Sequence, residues 1–322
     1  MPNRPDPANP LSGVRASASR AVRAAIDDGP PQAVPSARAT ADANPTPPHR
    51  PRPTLADART VLTAFAARTA PSPWRADRAA VAARLAKVID RPDLLQQRRL
   101  NLCGPAAFLR AWAHHDPAAF ARFAAALYDD GAASIGPLVV RPSAGSLVDA
   151  DHAALAERFG RGFPEAADWM LMGALRDSEN RVTKFRGLPD DAVSGMTFPG
   201  EIVRWLRATG AYADVADRTT RLVPAGIEAA FALRPSATTD VLVLMNLHLL
   251  REMQSPTGRR RAASYILRGF PDHWAALVAP VADRPGDRIG LRIWSWGTVL
   301  EGEVPKETFR ANFYGAIIAD RR

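Results

Sequence analysis

The sequence predicts an α+β protein, and three observations carry that prediction. Past residue 53 the first half is a run of capped segments whose apolar residues recur at helical spacing. From about residue 238 the chain turns to short runs of branched apolar residues bounded by turn signals. The two kinds of segment follow one another and do not alternate, which argues for segregated helices and strands. At 322 residues and 47% hydrophobic, the chain can bury a substantial core.

Residues 1–53 hold twelve of the 29 prolines, with Ser, Ala, Asp and Arg and almost nothing large and apolar. Such a segment cannot bury enough surface to offset the entropy of ordering, so a disordered leader is predicted. Residues 11–26 could form a short basic helix on a partner. Composition leaves open whether the leader is read by a bacterial secretion apparatus or is a plain linker. One folded unit is expected over 54–322.

Thr54 with Asp57 three residues on reads as an N-cap for a helix over 54–69. Pro71 and Pro73 break it, and a second helix is predicted over 77–89. Pro92 ends that one, and the chain enters the segment from Gln96 to Trp112. Gly104 and Pro105 suit a first helical turn, where proline forfeits no available hydrogen bond. Asp116-Pro117 opens a helix over 118–128, stopped at Asp129-Asp130-Gly131. The stretch 136–148 reads as a loop or short edge strand. Further helices are predicted over 151–159, 164–176, 199–209 and 225–232, with a turn at 177–180. Strands are predicted at 240–250, from His273 through 278, at 289–296 and at 313–320, with a polar loop at 252–261 and a turn at 283–287.

Charge and cysteine content narrow the functions. A net charge of +9 favours solubility and loose attraction to anionic surfaces. Only 259–261 is a tight arginine run, so no nucleic-acid partner is expected. A single cysteine excludes an intrachain disulfide and fits a reducing cytosol. No stretch approaches the ~20 apolar residues of a membrane span. The N-terminus lacks the apolar core of a secretory signal, so export would need a dedicated machine.

That cysteine, Cys103, falls at a predicted helix N-terminus, where free N–H groups and the helix dipole favour a thiolate. Gln97, six residues upstream, carries an amide that could donate to a developing oxyanion. A lone cysteine is also commonly a small buried hydrophobe, and Cys103 by itself fits either role. Among six histidines, His49 lies in the leader. His114 and His115 lie ~16–18 Å along the helix from Cys103, His152 opens a helix, and His248 sits in an apolar run. His273, at the start of a predicted buried strand, is the candidate base.

Gln97 before Cys103, His273 opening a strand, and Trp294-Ser295-Trp296-Gly297 ending the next strand together resemble the papain-like cysteine peptidases. Within them the pattern is most similar to the divergent bacterial secreted effectors and toxins. The resemblance covers 97–112 and 269–297 and hardly touches the middle of the chain. It implies a helix-rich half packed on a C-terminal antiparallel sheet, with the site in the cleft between them. It implies that Cys103 is the nucleophile, His273 the general base, Gln97 an oxyanion donor and Trp296 a shield over the histidine. The implied activity is that of a thiol protease without metal or other cofactor. It would act in the target-cell cytosol on a protein substrate, with an immunity protein or secretion chaperone in the producer. Trp294 stands where the family has the asparagine that orients the histidine, and an indole cannot accept a hydrogen bond. Ser295, Asp287 and a backbone carbonyl are the open candidates for that role, and Asp283 is a weaker one. The same Cys–His pair would also serve deamidation, transamidation or isopeptide cleavage, because all pass through an acyl-thioester. A non-catalytic interaction module on the same fold stays open as well.

Removing residues 1–53 is expected to leave the melting temperature of the remainder within about 2 °C of the full chain, since the leader offers no apolar anchor. A large drop in a thermal melt would show that the leader packs on the domain.

Overall fold

The computed structural model describes residues 54–322 apart from 144, 146, 181–184, 190, 192–194 and 255–269. The predicted leader with its basic helix, His49 and the arginine run at 259–261 lie outside the described residues. The fold is α+β. Helices gather in the first part of the chain: α1 (Leu55–Ala66), α2 (Arg78–Asp90), α3 (Cys103–His115), α4 (Pro117–Asp130), α5 (His152–Phe159), α6 (Ala166–Glu179) and α7 (Pro199–Ala208). The cap at Thr54 is present in both directions: Asp57 N–H donates to Thr54 Oγ1 at 3.2 Å and Thr54 N–H to Asp57 Oδ2 at 2.8 Å. Gly131 stops α4 at φ +69°.

A two-residue turn joins β1 (Ala133–Ile135) to β2 (Leu138–Val140) in a small hairpin. The main sheet comprises β3 (Tyr212–Asp217), β4 (Thr239–Met245), β5 (His273–Leu277), β6 (Ala282–Arg284), β7 (Arg288–Ser295), β8 (Thr298–Pro305) and β9 (Phe313–Arg321). Every pairing in it is antiparallel, in the order β3-β9-β4-β5-β7, with β6 and β8 also on β7. Pairing with β8 runs the whole length of β7, so β5 and β6 must share its other edge. Three short helices, α8 (Ile227–Phe231), α9 (His248–Gln254) and α10 (Lys306–Asn312), accompany the strands.

Alternation along the strands sorts two cores. Leu242, Leu244, Trp274, Ala276 and Trp294 join the core of the seven helices. Val241, Val243, Ala275, Leu277, Leu291 and Ile293 face the other way, toward Ile227, Leu250 and Phe309 of the short helices. Between helices and sheet runs α3, whose residues from Cys103 to Ala113 are all buried. A helix apolar all round belongs at the centre, and α3 touches β5, α4, α6 and α7.

Several expectations are corrected. The run predicted as one strand over 240–250 breaks at Asn246: its Oδ1 accepts the His248 N–H at 2.9 Å, and His248 opens α9. A short apolar run does not by itself distinguish strand from helix. The turn predicted at 177–180 is the last turn of α6. There the Asp177 carboxylate is buried, accepting N–H groups from Ser143 and Phe185. The sheet begins with β3, well before residue 238, and β8 and α10 were not predicted.

Phe108 on α3 is fully buried, its ring 5.8 Å from Trp112 and 5.5 Å from Trp205. Truncating it to alanine is expected to cost about 3–5 kcal/mol, measurable by urea denaturation, because the packed rings of Trp112 and Trp205 cannot collapse to fill the cavity.

Candidate active site

Cys103 is the first residue of α3 and is 7% exposed. The helix meets the sheet where the sheet comes apart. Paired with β4 along its full length, β5 pairs with β7 only at Ala276 and Leu277. At Ser295 the partner strand ends and turns through Trp296 and Gly297 into β8. The start of β5 is therefore unpaired on that side, and the backbone N–H of Trp274 bears on the Cys103 sulfur. Helix start and strand start meet through Trp274, whereas His273, one residue earlier, turns its ring with Ser295 to the other face of the sheet from Trp274 and Trp294.

His273 opens β5 and is 4% exposed. Its Nε2 and the Ser295 hydroxyl share a hydrogen bond of 2.8 Å. The two residues are diagonal neighbours on one face of the sheet, within reach for a side chain as long as histidine. The Trp296 ring lies against the imidazole, with centroids 5.3 Å apart. Trp296 holds φ +52°, an uncommon conformation for a bulky residue, so the turn carries strain where the ring is needed.

Trp294 is the neighbour of Ser295 and so faces the other way. Its Nε1 donates to the Asp93 carbonyl at 2.9 Å, and the Arg110 guanidinium stacks 5.2 Å from its ring. Arg110 in turn pairs with Asp93 at 2.6 Å. The tryptophan that displaces the expected asparagine thus ties the end of β7 to the segment leading into Gln97.

That segment is fixed from the other side by a buried ion pair. The Asp168 carboxylate is fully buried and accepts from Arg84 at 2.6 and 3.0 Å and from the Gln96 backbone N–H at 2.9 Å. Gln97 follows at 7% exposure, its carbonyl accepting the Leu100 N–H at 3.1 Å, and its side-chain Oε1 is buried with no hydrogen-bond partner among the described residues. The Gln96 side chain lies against Gly297, where an added Cβ would fall 2.4 Å from Gln96 Nε2.

Protonation follows from burial. Desolvation pushes the Cys103 thiol up to about 11, against backbone N–H groups of Trp274, Gly104 and Cys103 itself that favour the anion. Desolvation also takes the His273 imidazole down to about 4. At neutral pH both groups are uncharged, and among the described residues no hydrogen bond joins the Cys103 sulfur to the imidazole. A thiolate prepared by the helix dipole was the expectation for Cys103; burial outweighs the dipole here.

Asp287 is not part of the site. It sits at the far end of β7 from Ser295, with a side chain 74% exposed and 3.8 Å from Lys306. Asp283 pairs with the same lysine at 2.8 Å. His115 Nε2 contacts the Ala211 carbonyl, and His152 Nε2 contacts that of Pro164, each at 3.0 Å. Thr197, which the sequence gave no reason to single out, lies against Gly104, and its carbonyl accepts the Trp274 Nε1–H at 3.0 Å. Among the described residues no three His, Cys, Asp or Glu side chains gather as metal ligands would, and no helix is long and apolar enough to cross a membrane.

Comparison with known proteins gives no match to this chain among family models, curated proteins or solved structures.

The imidazole provides a pH test. In the unfolded chain it binds a proton below about 6.5, and in the folded protein only below about 4. The stability it contributes is complete above pH 6.5 and is lost as pH falls through 4. Asp168 acts in the opposite sense: its carboxyl is raised from 3.8 to about 6, so its contribution is complete below 3.8 and lost as pH rises through 6. The two windows overlap, so the difference between wild type and His273→Gln is the quantity to measure. From pH 7 to pH 4 the wild type should lose about 3 kcal/mol more than the variant in urea denaturation. Equal losses would mean that the folded protein does not hold the imidazole neutral.

Proposed function

We propose that this chain is a cysteine-dependent hydrolase with a papain-like fold and site, a thiol protease acting on a protein of a target cell. In this reading it is a secreted bacterial effector or toxin, exported by a dedicated machine and held in check in its producer by an immunity protein or a chaperone. The observation that carries the reading is the convergence at one split in the sheet of segments far apart in sequence: Cys103 at a helix start against the backbone N–H of Trp274, the residue after His273, and Ser295 and Trp296 around the His273 imidazole.

The chemistry assigned to these groups is as follows. With Nε2–H donated to the Ser295 oxygen, Nδ1 is the basic nitrogen of His273. It takes the Cys103 proton as the sulfur attacks a carbonyl carbon. The Gln97 amide and the Cys103 backbone N–H stabilise the oxyanion. The imidazolium then protonates the leaving amine, and water hydrolyses the thioester with His273 again as base. Ser295 does the work of the family's asparagine one position along, and Trp296 keeps water from the His273–Ser295 bond. Because thiol and imidazole rest uncharged, the proton moves during attack and no standing ion pair is involved.

A second reading has its own support. The resting thiol is buried and protonated, and it makes no hydrogen bond to the imidazole, as befits a non-catalytic interaction module on the same fold. Deamidase, transamidase and isopeptidase variants keep the first mechanism and change only what attacks the thioester.

Cleavage of target-cell proteins by the full chain, followed by mass spectrometry of new termini, separates these readings. Cys103→Ala and His273→Ala should each lose at least ~10³-fold in rate, with the Cys103→Ala melting temperature nearly unchanged. Ser295→Ala should retain more activity than His273→Ala. Mass changes of one unit at glutamine, without new termini, would assign deamidation. Full activity in Cys103→Ala, or no cysteine-dependent product of any kind, would exclude the thiol mechanism.

A further inference from the structure

One polar group beside Cys103 is not used by that mechanism. Thr197 precedes α7 and is 7% exposed, while its neighbours Met196 and Phe198 are 40% and 42% exposed. The chain thus turns one side chain inward and holds two large apolar ones out. The inward methyl and hydroxyl press on Gly104: an added Cβ there would lie 2.4 Å from Thr197 Cβ and 2.6 Å from both Cγ2 and Oγ1. Two residues earlier, Gly195 lies equally close to Asn101, where an added Cβ would meet the Asn101 carbonyl oxygen at 2.6 Å. The strap therefore runs alongside the segment that enters α3.

Thr197 Oγ1 is buried and has no hydrogen-bond partner among the described residues. A valine would fill the same space without that cost, since a buried hydroxyl left unpaired is destabilising. Gln97 Oε1, on the chain segment leading into the Cys103 helix, is a second buried oxygen without a partner among the described residues. Two such groups on separate segments bordering one helix start are what a binding site looks like before its ligand arrives, because the ligand supplies the missing partners.

We propose that Thr197 is a substrate-binding residue, whose hydroxyl donates a hydrogen bond to a backbone carbonyl of the substrate beside the bond that Cys103 attacks. This rests on the thiol-hydrolase reading and gives its substrate a chemical class: an acyl chain bearing a peptide carbonyl next to the reacting one. The strap position also serves the site through the Thr197 carbonyl, which holds the Trp274 indole and with it the start of β5.

The test compares Thr197→Val, which keeps the shape and removes the hydroxyl, with Thr197→Ser, which keeps the hydroxyl. Each full-length variant is reacted with a peptidyl acyloxymethyl ketone, which presents a peptide backbone, and with iodoacetamide, which does not. Thr197→Val should react with the peptidyl probe about tenfold more slowly, the size expected for one lost neutral hydrogen bond, and with iodoacetamide at the wild-type rate. It should also melt no lower than the wild type. Thr197→Ser should stay within about twofold of the wild type on both probes. The proposal is overturned if Thr197→Val matches the wild type on the peptidyl probe, if the two variants slow together, or if Thr197→Val slows equally on both probes, which would mark a packing role. If wild-type Cys103 reacts with iodoacetamide but with no peptidyl probe, the thiol-hydrolase reading fails and this proposal falls with it.

Discussion

Much of the site depends on where β7 stops. The strand ends at Ser295 because Trp296 and Gly297, both at positive φ, form a two-residue turn into β8. Such turns match the twist of the strands they join but require left-handed backbone at both positions, so the tryptophan is held there against its preference. Had β7 continued, it would have paired with the first residues of β5 and closed the edge that the Cys103 helix now occupies. Ending there, it leaves Trp274 free to turn its N–H to the sulfur and brings Ser295 and Trp296 to the His273 ring. The alternation of a strand then divides the labour. Trp294 faces the helices and fastens Asp93, while Ser295 faces the imidazole. Inserting or deleting one residue in β7 would exchange these faces and undo both contacts.

The parts of this arrangement that were legible in the sequence are those with a local physical signature. The Thr54 cap, the Gly131 stop and the helical spacing after Cys103 are written in adjacent residues. So is the placement of His273 at the head of an apolar run. The misreadings have equally local causes. In β8 the residues are half exposed and interrupted by Gly302, so its apolar alternation is weak. Its existence follows from the turn at Trp296-Gly297, not from its own composition. The 240–250 run hides a strand, a one-residue cap at Asn246 and the start of a helix in one apolar stretch. Asp287 looked close to His273 because only sequence distance was available, whereas the antiparallel register carries it to the opposite end of β7. Ser295 could be named as a candidate beforehand, but only the face on which it lies brings its hydroxyl to the imidazole. Thr197 has no sequence signal at all, because its contact with Gly104 joins segments more than ninety residues apart.

Gln97 shows how a short turn can be held by distant chemistry. A chain leaving α2 at Arg91 has few hydrogen bonds of its own before α3 begins, and Arg98 sits at φ +53°. The Gln96 N–H is satisfied by Asp168, a carboxylate whose own burial is tolerable only because Arg84 meets it with two hydrogen bonds. Burying such a pair yields little net stability, yet removing one partner leaves an uncompensated charge. The pair is therefore better understood as a device that fixes one backbone geometry than as a source of stability. Together with the Trp294 bond to Asp93 it holds the segment at both ends, with Gln97 close beyond the second.

The resting protonation state bears on how the proposed reaction would begin. Cys103 and His273 are each buried beyond the reach of water that would stabilise a charge, and desolvation moves their pKa values apart in the direction that keeps both neutral. Forming the ion pair in this enclosed state would place two charges where neither is solvated, and with no direct hydrogen bond between them the mutual attraction is not realised. A substrate changes those terms. In the proposed mode it brings a polar carbonyl beside the Gln97 side-chain NH2, the Thr197 hydroxyl and the N–H groups at the start of α3. Once attack begins, the negative charge moves from sulfur to the carbonyl oxygen and meets those donors, while the imidazolium is held by Ser295 through Nε2. Charge then appears only where partners already wait for it. The same enclosure that leaves the free thiol weakly reactive toward water-borne reagents would strengthen those hydrogen bonds in the transition state, because the surrounding medium is poorly polarisable. Low reactivity at rest and effective stabilisation during attack would thus follow from one cause, the burial of Cys103 at the split in the sheet.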